Sequence, residues 1–393
     1  MGRGVVTVPS SHFEMEISNL DLIEACWGIT VADQVVSHIQ MRLRHLGLGF
    51  EQDETRQRFR IVSDVRAGNA VELHRVAELS YRLTAEPISI ALTTGQPGAA
   101  LHAVMTWDSD EPPRYRGPRD IQRDHGDRWF AIYKSDMQIA AHAFCCAADG
   151  RMIPYWQPVC DYRDPSRVLY HEGLVRFGNH NAGLSPAVVF PALERTGMAT
   201  TFDWVMVRHV LDELRADPSA TLGVNISASS AHLKGWWRGI LAELATRPDI
   251  AKRLVVEITE TDPIVHICET IAFAREVRAV GATLALDDFG AGYTSIRQLM
   301  DLVPALVKID GLFLQRAISN VQPCHSLPHL IGLIRELGGT VIIEGVETPE
   351  MADIGYVSGA TWQQGYYYGH PAPVRSGHRS TLRLVDVAGE ANS

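Results

Sequence analysis

Short apolar runs in the second half of this sequence repeatedly end on a polar residue able to bind a cation or move a proton. In chain order these are Glu172, Asn225, Glu257, the doublet Asp287-Asp288, Lys308, Glu344 and Gln364, five of them carboxylates. Gathered in one place, the acids would raise one another's pKa sharply unless cations neutralised them. Carboxylates with one amide suit a hard ion such as Mg2+ or Mn2+ and do not suit zinc. An adjacent Asp-Asp pair can bridge two such ions, and two ions about 3.5–4 Å apart can clamp a phosphodiester while water attacks it. Lys308, one run further on, is placed to orient that water or offset developing charge. Each residue alone has an ordinary structural account. Thr259-Glu260-Thr261-Asp262 could cap the next helix, Asp-Asp-Phe-Gly could mark a turn with Gly290 and Gly292 at positive φ, and Lys308 with Asp310 could be a solvated pair. The case for chemistry is the set, spread over successive runs.

Those runs, at 155–159, 168–175, 222–226, 254–257, 283–288, 305–310, 341–344 and 361–365, are nearly continuous in apolar character. They alternate with helical patterns such as 202–214, 266–279 and 328–337. That alternation predicts a parallel sheet, and about eight units predict a closed (β/α)8 TIM-like barrel whose chemistry sits at the C-terminal ends of its strands. An open doubly wound sheet is the alternative, but no G-x-G-x-x-G opens a helix. Ahead of the barrel lies a smaller α/β unit. Val31, Val35, Ile39, Leu43 and Leu46 define a helix over 31–46, with β-prone runs at 59–62 and 88–92 and a second helix near 70–83. The charged, proline-rich stretch 108–127 reads as a linker. A helix follows over 128–148, with Trp129, Ile132, Tyr133, Met137, Ala140 and Ala141 on one face. The expected division is therefore 1–107 regulatory α/β domain, 108–149 linker and connecting helix, and 150–393 barrel.

The whole chain has 393 residues, 46% hydrophobic, with a formal net charge of −10. That balance argues against coating long nucleic acid, which needs a positive stripe, but not against a small anion held by local charges or metal ions. No run is long and apolar enough for a membrane span, and the first residues lack a secretory apolar stretch, so a cytoplasmic protein is expected. The six cysteines form no C-x-x-C pair and the sixteen histidines no H-E-x-x-H. His171 should face away from Glu172 on its strand, and Cys145-Cys146 reads as buried filler.

With these residues placed, the second part resembles the EAL-domain family of cyclic di-GMP phosphodiesterases across about 150–375. Gln157-Pro158-Val159-Cys160-Asp161 is similar to the family's Q-P-I-V-D, and Glu172-Gly173-Leu174-Val175-Arg176 to its E-A-L-x-R. Asn225-Ile226-Ser227 is similar to N-L-S, Glu257-Ile258-Thr259-Glu260 to E-I-T-E, and 287–295 to D-D-F-G-T-G-Y-S-S. Lys308-Ile309-Asp310 matches K-I-D, 343–348 resembles A-E-G-V-E-T, and Gln364-Gly365-Tyr366 is Q-G-Y. The resemblance implies two metal ions, Mg2+ or Mn2+: one on Glu172, Asn225, Glu257 and Asp287, the other on Asp287, Asp288 and Glu344. It implies that Lys308 holds the attacking water, that Glu260 fixes the loop after Asp287-Asp288, and that Glu347 supports the metal site from behind. Gln157, Leu174, Arg176 and Gln364 would contact the cyclic dinucleotide, Arg176 through phosphate. Gly173 departs from the family's alanine; the lost methyl should loosen the strand and tune affinity or rate.

Residues 14–107 resemble a degenerate GGDEF (diguanylate cyclase) domain through Ser18-Asn19-Leu20-Asp21 to Gly28 and Ala32-Asp33-Gln34. Arg60-Ile61-Val62-Ser63-Asp64-Val65 stands where the signature should be, so cyclase activity is not expected. An unrelated sensory or dimerising unit is the alternative. The resulting expectation is hydrolysis of cyclic di-GMP to linear pGpG by a homodimer associating through the barrel. The rivals are a receptor with the same pocket and no turnover, and a metal-independent glycosidase using paired carboxylates, which would have no use for the Asp doublet, the amide or the lysine.

Overall fold

The computed structural model describes residues 12–62, 83, 88, 103–107, 127–178, 183–233, 236–259, 267–290, 295–319 and 326–375. The first unit comprises β1 (His12–Ile17), α1 (Leu20–Trp27), α2 (Ile29–His45), β2 (Gly49–Gln52), β3 (Arg58–Val62) and β4 (Ala103–Trp107). Its strands form one antiparallel sheet in the order β2-β3-β1-β4. Met15, Ile17 and Phe59 from the sheet pack with Val35, Ile39 and Leu43 from α2, the face that the 3.6-residue period marks. The expected helix 70–83 and strand 88–92 fall outside the described residues except for Leu83 and Ile88, both buried. The expected linker stretch 108–126 also falls outside them.

A long helix, α3 (Asp127–Ala148), leads into the second unit. Its elements are β5 (Met152–Asp161), β6 (Val168–Phe177), α4 (Pro186–Thr196), α5 (Ala199–Ala216), β7 (Leu222–Ile226), α6 (Trp237–Thr246), α7 (Pro248–Ala251) and β8 (Leu254–Ile258). There follow α8 (Ile267–Ala279), β9 (Thr283–Phe289), α9 (Ile296–Leu302), β10 (Leu306–Ile309), α10 (Gly311–Ser319), α11 (Ser326–Glu336), β11 (Thr340–Ile343), α12 (Pro349–Val357) and β12 (Trp362–Gln363). The strands close into a barrel in the order β10-β11-β12-β5-β6-β7-β8-β9. One strand departs from the all-parallel expectation: β5 runs antiparallel to both β6 and β12. The connection between β5 and β6, 162–167, is a short turn, and only an antiparallel pair can be closed that tightly. The other neighbours are parallel and buried on both faces, which is why β8 and β10 read as apolar runs carrying one charge each.

The barrel interior is layered by the two-residue period of its strands. Tyr170, Val255, Ala285, Leu306 and Ile342 share one apolar cluster inside the barrel. Two residues further along each strand, on the same face, stand Glu172, Glu257, Asp287, Lys308 and Glu344. The apolar layer therefore floors the polar one. At β7 the floor position is Gly223, two residues before Asn225, and a Cβ there would overlap Glu257 Oε1 and lie 2.7 Å from Tyr170 Cε2. The glycine makes room for a tyrosine ring and a carboxylate at once. Gly223→Ala should lower stability by about 1–3 kcal/mol through overpacking, read as a fall in the urea midpoint; an unchanged midpoint would mean that the interior yields more easily than this geometry allows.

Candidate active site

The Lys308 side chain is fully buried at the mouth of the barrel, and its ammonium is ringed by carboxylates. Nζ lies 3.0 Å from Glu172 Oε2, 3.0 Å from Glu257 Oε2, 2.8 Å from Asp287 Oδ1 and 2.9 Å from Glu344 Oε1. Glu172 is held further by amides: Asn225 Nδ2 donates to Oε1 at 2.6 Å and Gln364 Nε2 to Oε2 at 2.6 Å. Gln157 Nε2 in turn donates to the Gly369 carbonyl at 3.2 Å. Tyr170 donates its hydroxyl to Glu257 Oε2 at 3.1 Å.

Asp288 joins this group by a backbone device. Successive strand residues point to opposite faces, so a regular β9 would send Asp288 away from Asp287. Its φ is +56°, a left-handed conformation that Asp tolerates better than most residues. As a result, carboxylate oxygens of Asp287, Asp288 and Glu344 lie within 4.8 Å of one another, as do those of Glu172, Glu257 and Asp287. The two trios share Asp287.

The electrostatics of the cluster are unbalanced. Burial, then the Asp287 charge, pushes Glu344 well above the usual carboxylate range. Burial raises Glu257 to about 8 against the pull of Lys308, and burial with Asp287 raises Asp288 to about 6. Glu172 is the exception: burial would raise it, but Lys308 and the amides of Gln364 and Asn225 outweigh that and lower it. Burial alone would lower Lys308, yet Asp287 and the other three acids hold it well above the ordinary lysine value. Asn225 Oδ1, Glu257 Oε1 and Gln364 Oε1 are buried with no hydrogen-bond donor. Excess negative charge, unpartnered oxygens and an all-oxygen donor set fit a hard divalent cation.

Above the carboxylates opens a cavity of about 670 Å3, a size that takes a ligand of several hundred daltons. Gln157, Leu174, Arg176, Glu347 and Gln364 all line it. Arg176 donates to the Val175 carbonyl at 2.8 Å, and its guanidinium lies over the Tyr155 ring. Glu347 is exposed on the cavity wall. Glu260 lies outside the described residues. A Cβ at Gly173 would stand 3.0 Å from the Gly223 carbonyl and 3.2 Å from Trp156 Cζ3, so the ring of Trp156, paired directly across the hairpin, fills the space of the missing methyl.

Two contributors escaped the sequence reading. Tyr170 stands two residues before Glu172, a spacing that already places it on the same interior face. Asp203 is a single acid in the apolar stretch of α5; it lines the cavity and is buried, accepting from Ser227 N at 2.9 Å, Ser227 Oγ at 2.6 Å and Ser230 Oγ at 2.6 Å. It thereby pins the loop that follows Asn225. Burial raises its pKa from 3.8 to about 6 despite those three bonds. A raised acid is carried neutral at no cost below the unfolded value, and that stability is lost as pH climbs through the folded value. The wild type should therefore lose stability relative to Asp203→Asn between about pH 4 and pH 7, by on the order of 3 kcal/mol. Paired denaturant titrations at both pH values measure this; a pH-independent difference would place the Asp203 carboxyl in contact with water.

Residues 139–371 match the EAL domain family. Among curated proteins, the chain is 32% identical over 213 residues to the cyclic di-GMP phosphodiesterase PdeL of Escherichia coli, covering 51% of this chain and 58% of that one. It is 30% identical over 254 residues to the probable cyclic di-GMP phosphodiesterase PdeG of the same organism, covering 62% of this chain and 49% of that one. The chain thus spans about half the length of these curated relatives. Among solved structures, the apo S helix-GGDEF-EAL portion of Vibrio cholerae LapD aligns over 91% of this chain and 89% of its own, with a TM-score of 0.54 at 17% identity, a likeness of fold.

Proposed function

We propose a reaction for this site from one premise: the chain belongs to the EAL domain family. The reaction is hydrolysis of one phosphodiester of cyclic di-GMP to linear pGpG. The observation that carries it is the pair of oxygen trios sharing Asp287 around the buried Lys308, beneath a cavity large enough for a dinucleotide. Glu172, Asn225, Glu257 and Asp287 would hold one divalent ion, and Asp287, Asp288 and Glu344 a second, Mg2+ or Mn2+. Such ions make water nucleophilic near neutral pH and offset the charge that grows on a phosphate in displacement.

The chain's own residues do the rest. Lys308, held by four acids, is fixed where it can donate a hydrogen bond to the attacking water and keep its oxygen aimed at phosphorus. As the water oxygen bonds to phosphorus, the bond to the ribose oxygen breaks and that oxygen takes up a proton. Arg176 can turn from its own strand's carbonyl to a phosphate, where its forked donors fit two oxygens. Gln157 and Gln364 link the cavity floor to Glu172, so ligand contact and metal ligation share one hydrogen-bonded chain. Glu260 would hold the loop after Asp288, and Glu347 the rim.

The first unit is proposed to be a degenerate GGDEF-like domain spanning 1–107, joined through 108–149 to a barrel of 150–393. The likeness of fold to a GGDEF-EAL protein supports this. The five-residue signature Gly-Gly-Asp-Glu-Phe occurs nowhere in the sequence, so no GTP chemistry is assigned to it. No described helix is long and apolar enough to cross a membrane. A cytoplasmic homodimer is part of the proposal; exposed Ile296 and Met300 on α9, Val303 just after it and Leu312 on α10 support association through the barrel.

Chromatography of cyclic di-GMP incubated with the protein tests the reading. Metal-dependent pGpG is expected, with loss of at least 100-fold in Glu172→Ala on the scale of removing a group that positions the reacting centre. Turnover retained in that variant would remove Glu172 from the site, and tight binding without turnover would make the chain a receptor. Incubation with GTP alone should yield no cyclic di-GMP; its appearance would overturn the reading of the first unit.

A further inference from the structure

Helix α4 forms one wall of the cavity yet contributes none of the proposed metal ligands. Ala187, Phe190, Pro191 and Glu194, spaced along one helical face, line the cavity. The helix has a defined start and stop, with Ser185 accepting from Ala187 N at 3.3 Å and Gly197 ending it at φ +74°. It is only 11 residues long and carries Pro191 in its interior. Proline removes one backbone hydrogen bond and crowds the preceding turn, and a helix this short owes its position to tertiary contacts.

Those contacts come largely from α3. Asp136, 4% exposed, accepts a forked pair from Arg195 at the far end of α4: Nε at 2.7 Å and Nη2 at 2.8 Å. A second link is aromatic. Phe144 of α3 meets Phe202 edge-on at 5.6 Å, and Phe202 meets the cavity-lining Phe190 at 6.0 Å. The other end of α3 is where the first unit docks. Trp27, the last residue of α1, lies 6.4 Å from Tyr133, which stacks on Trp129 at 5.2 Å, and Lys134 Nζ sits over the Trp27 ring at 5.8 Å. Leu22 and Cys26 share the same apolar core as Tyr133 and Met137.

We infer that Asp136 is a positioning residue: through Arg195 it sets where α4 stands against the bound dinucleotide, and so lets the docking of the first unit on α3 tune substrate affinity. The inference rests on the proposed substrate. Because α4 carries no ligand of the metal trios, its displacement changes how well the dinucleotide is held and leaves the attack on phosphorus alone. Coupling of this kind is reciprocal: what the first unit does to the ligand, the ligand does to the first unit.

The test uses the full chain. Asp136→Asn should raise KM for cyclic di-GMP by about 5- to 20-fold, in the range of ordinary coupling between sites, with kcat within about twofold. Hydrogen exchange should quicken at 187–196 and stay unchanged in β7 and β8. Arg195→Lys, which keeps the charge but loses the fork, should fall between, and its half-exposed site makes misfolding no explanation for the result. Trp27→Ala should raise KM in the same direction, and saturating cyclic di-GMP should slow exchange at 129–137. A fall in kcat at constant KM, or exchange at 187–196 unaltered in Asp136→Asn, would overturn the inference. If the wild type proves to have no activity toward cyclic di-GMP, the proposed reaction fails, while the exchange comparison still decides whether Asp136 holds α4.

Discussion

The structure is organised around one buried cation. Lys308 is fully enclosed and within 3.0 Å of four carboxylates, three on β6, β8 and β9 and the fourth on the residue that follows β11. Removing an ion from water costs several kcal/mol even after relaxation, and only close, well-aligned partners offset it. The ammonium and its acids therefore stand or fall together, and each strand must deliver its charged residue at the same height in the barrel. One positive charge does not keep four buried carboxyls ionised. The unpartnered oxygens of Glu257, Asn225 and Gln364 and the upward pull on Glu257 and Glu344 express the same deficit. A site built this way calls for further cations.

The rest of the barrel can be read as what holds that group in place. An apolar layer of Val255, Ala285, Leu306 and Ile342 closes the interior directly beneath the charges. It keeps water from the underside of the cluster, where a polar contact would have no outlet. Gly223 admits Tyr170 and Glu257 into one position, and the left-handed turn at Asp288 adds a carboxylate that regular alternation would have wasted. The antiparallel β5 has a comparable role. Reversal brings Gln157 in beside Gln364, so the amide chain that grips Glu172 crosses the seam of the barrel. Trp156 on the same strand fills the space above Gly173, which explains how the glycine sits in a tight strand pair without a void.

Outside the barrel, the packing concentrates on α3. It is the element that both the first unit and the α4 wall touch, and its contacts change character along its length, from stacked aromatics at Trp129 and Tyr133 to the forked ion pair of buried Asp136 with half-exposed Arg195 and an edge-on phenyl contact at Phe144. Forked Arg–carboxylate pairs fix angle as well as distance, whereas aromatic contacts tolerate small rotations. A helix gripped in both ways can transmit a shift in one unit to a particular wall of the other.

The sequence by itself determined the strands of the barrel, the helices that alternate with them and the residue types at the strand ends. Apolar runs interrupted by one acid or lysine carry their period and their chemistry locally; the run 222–226 coincides with β7, and the helical patterns over 31–46 and 128–148 match α2 and α3 to within two residues. It also determined the family, because ordered motifs across the chain are a one-dimensional signal. The tertiary structure alone decided the turning of Asp288 toward Asp287, the filling of Gly173 by Trp156 and the part of Asp203. Each of these depends on which residue lies across a strand pair or inside a closed barrel, or on the sign of a single φ. Pairing, enclosure and dihedral choice arise from contacts between positions far apart in the chain, and no local pattern encodes them.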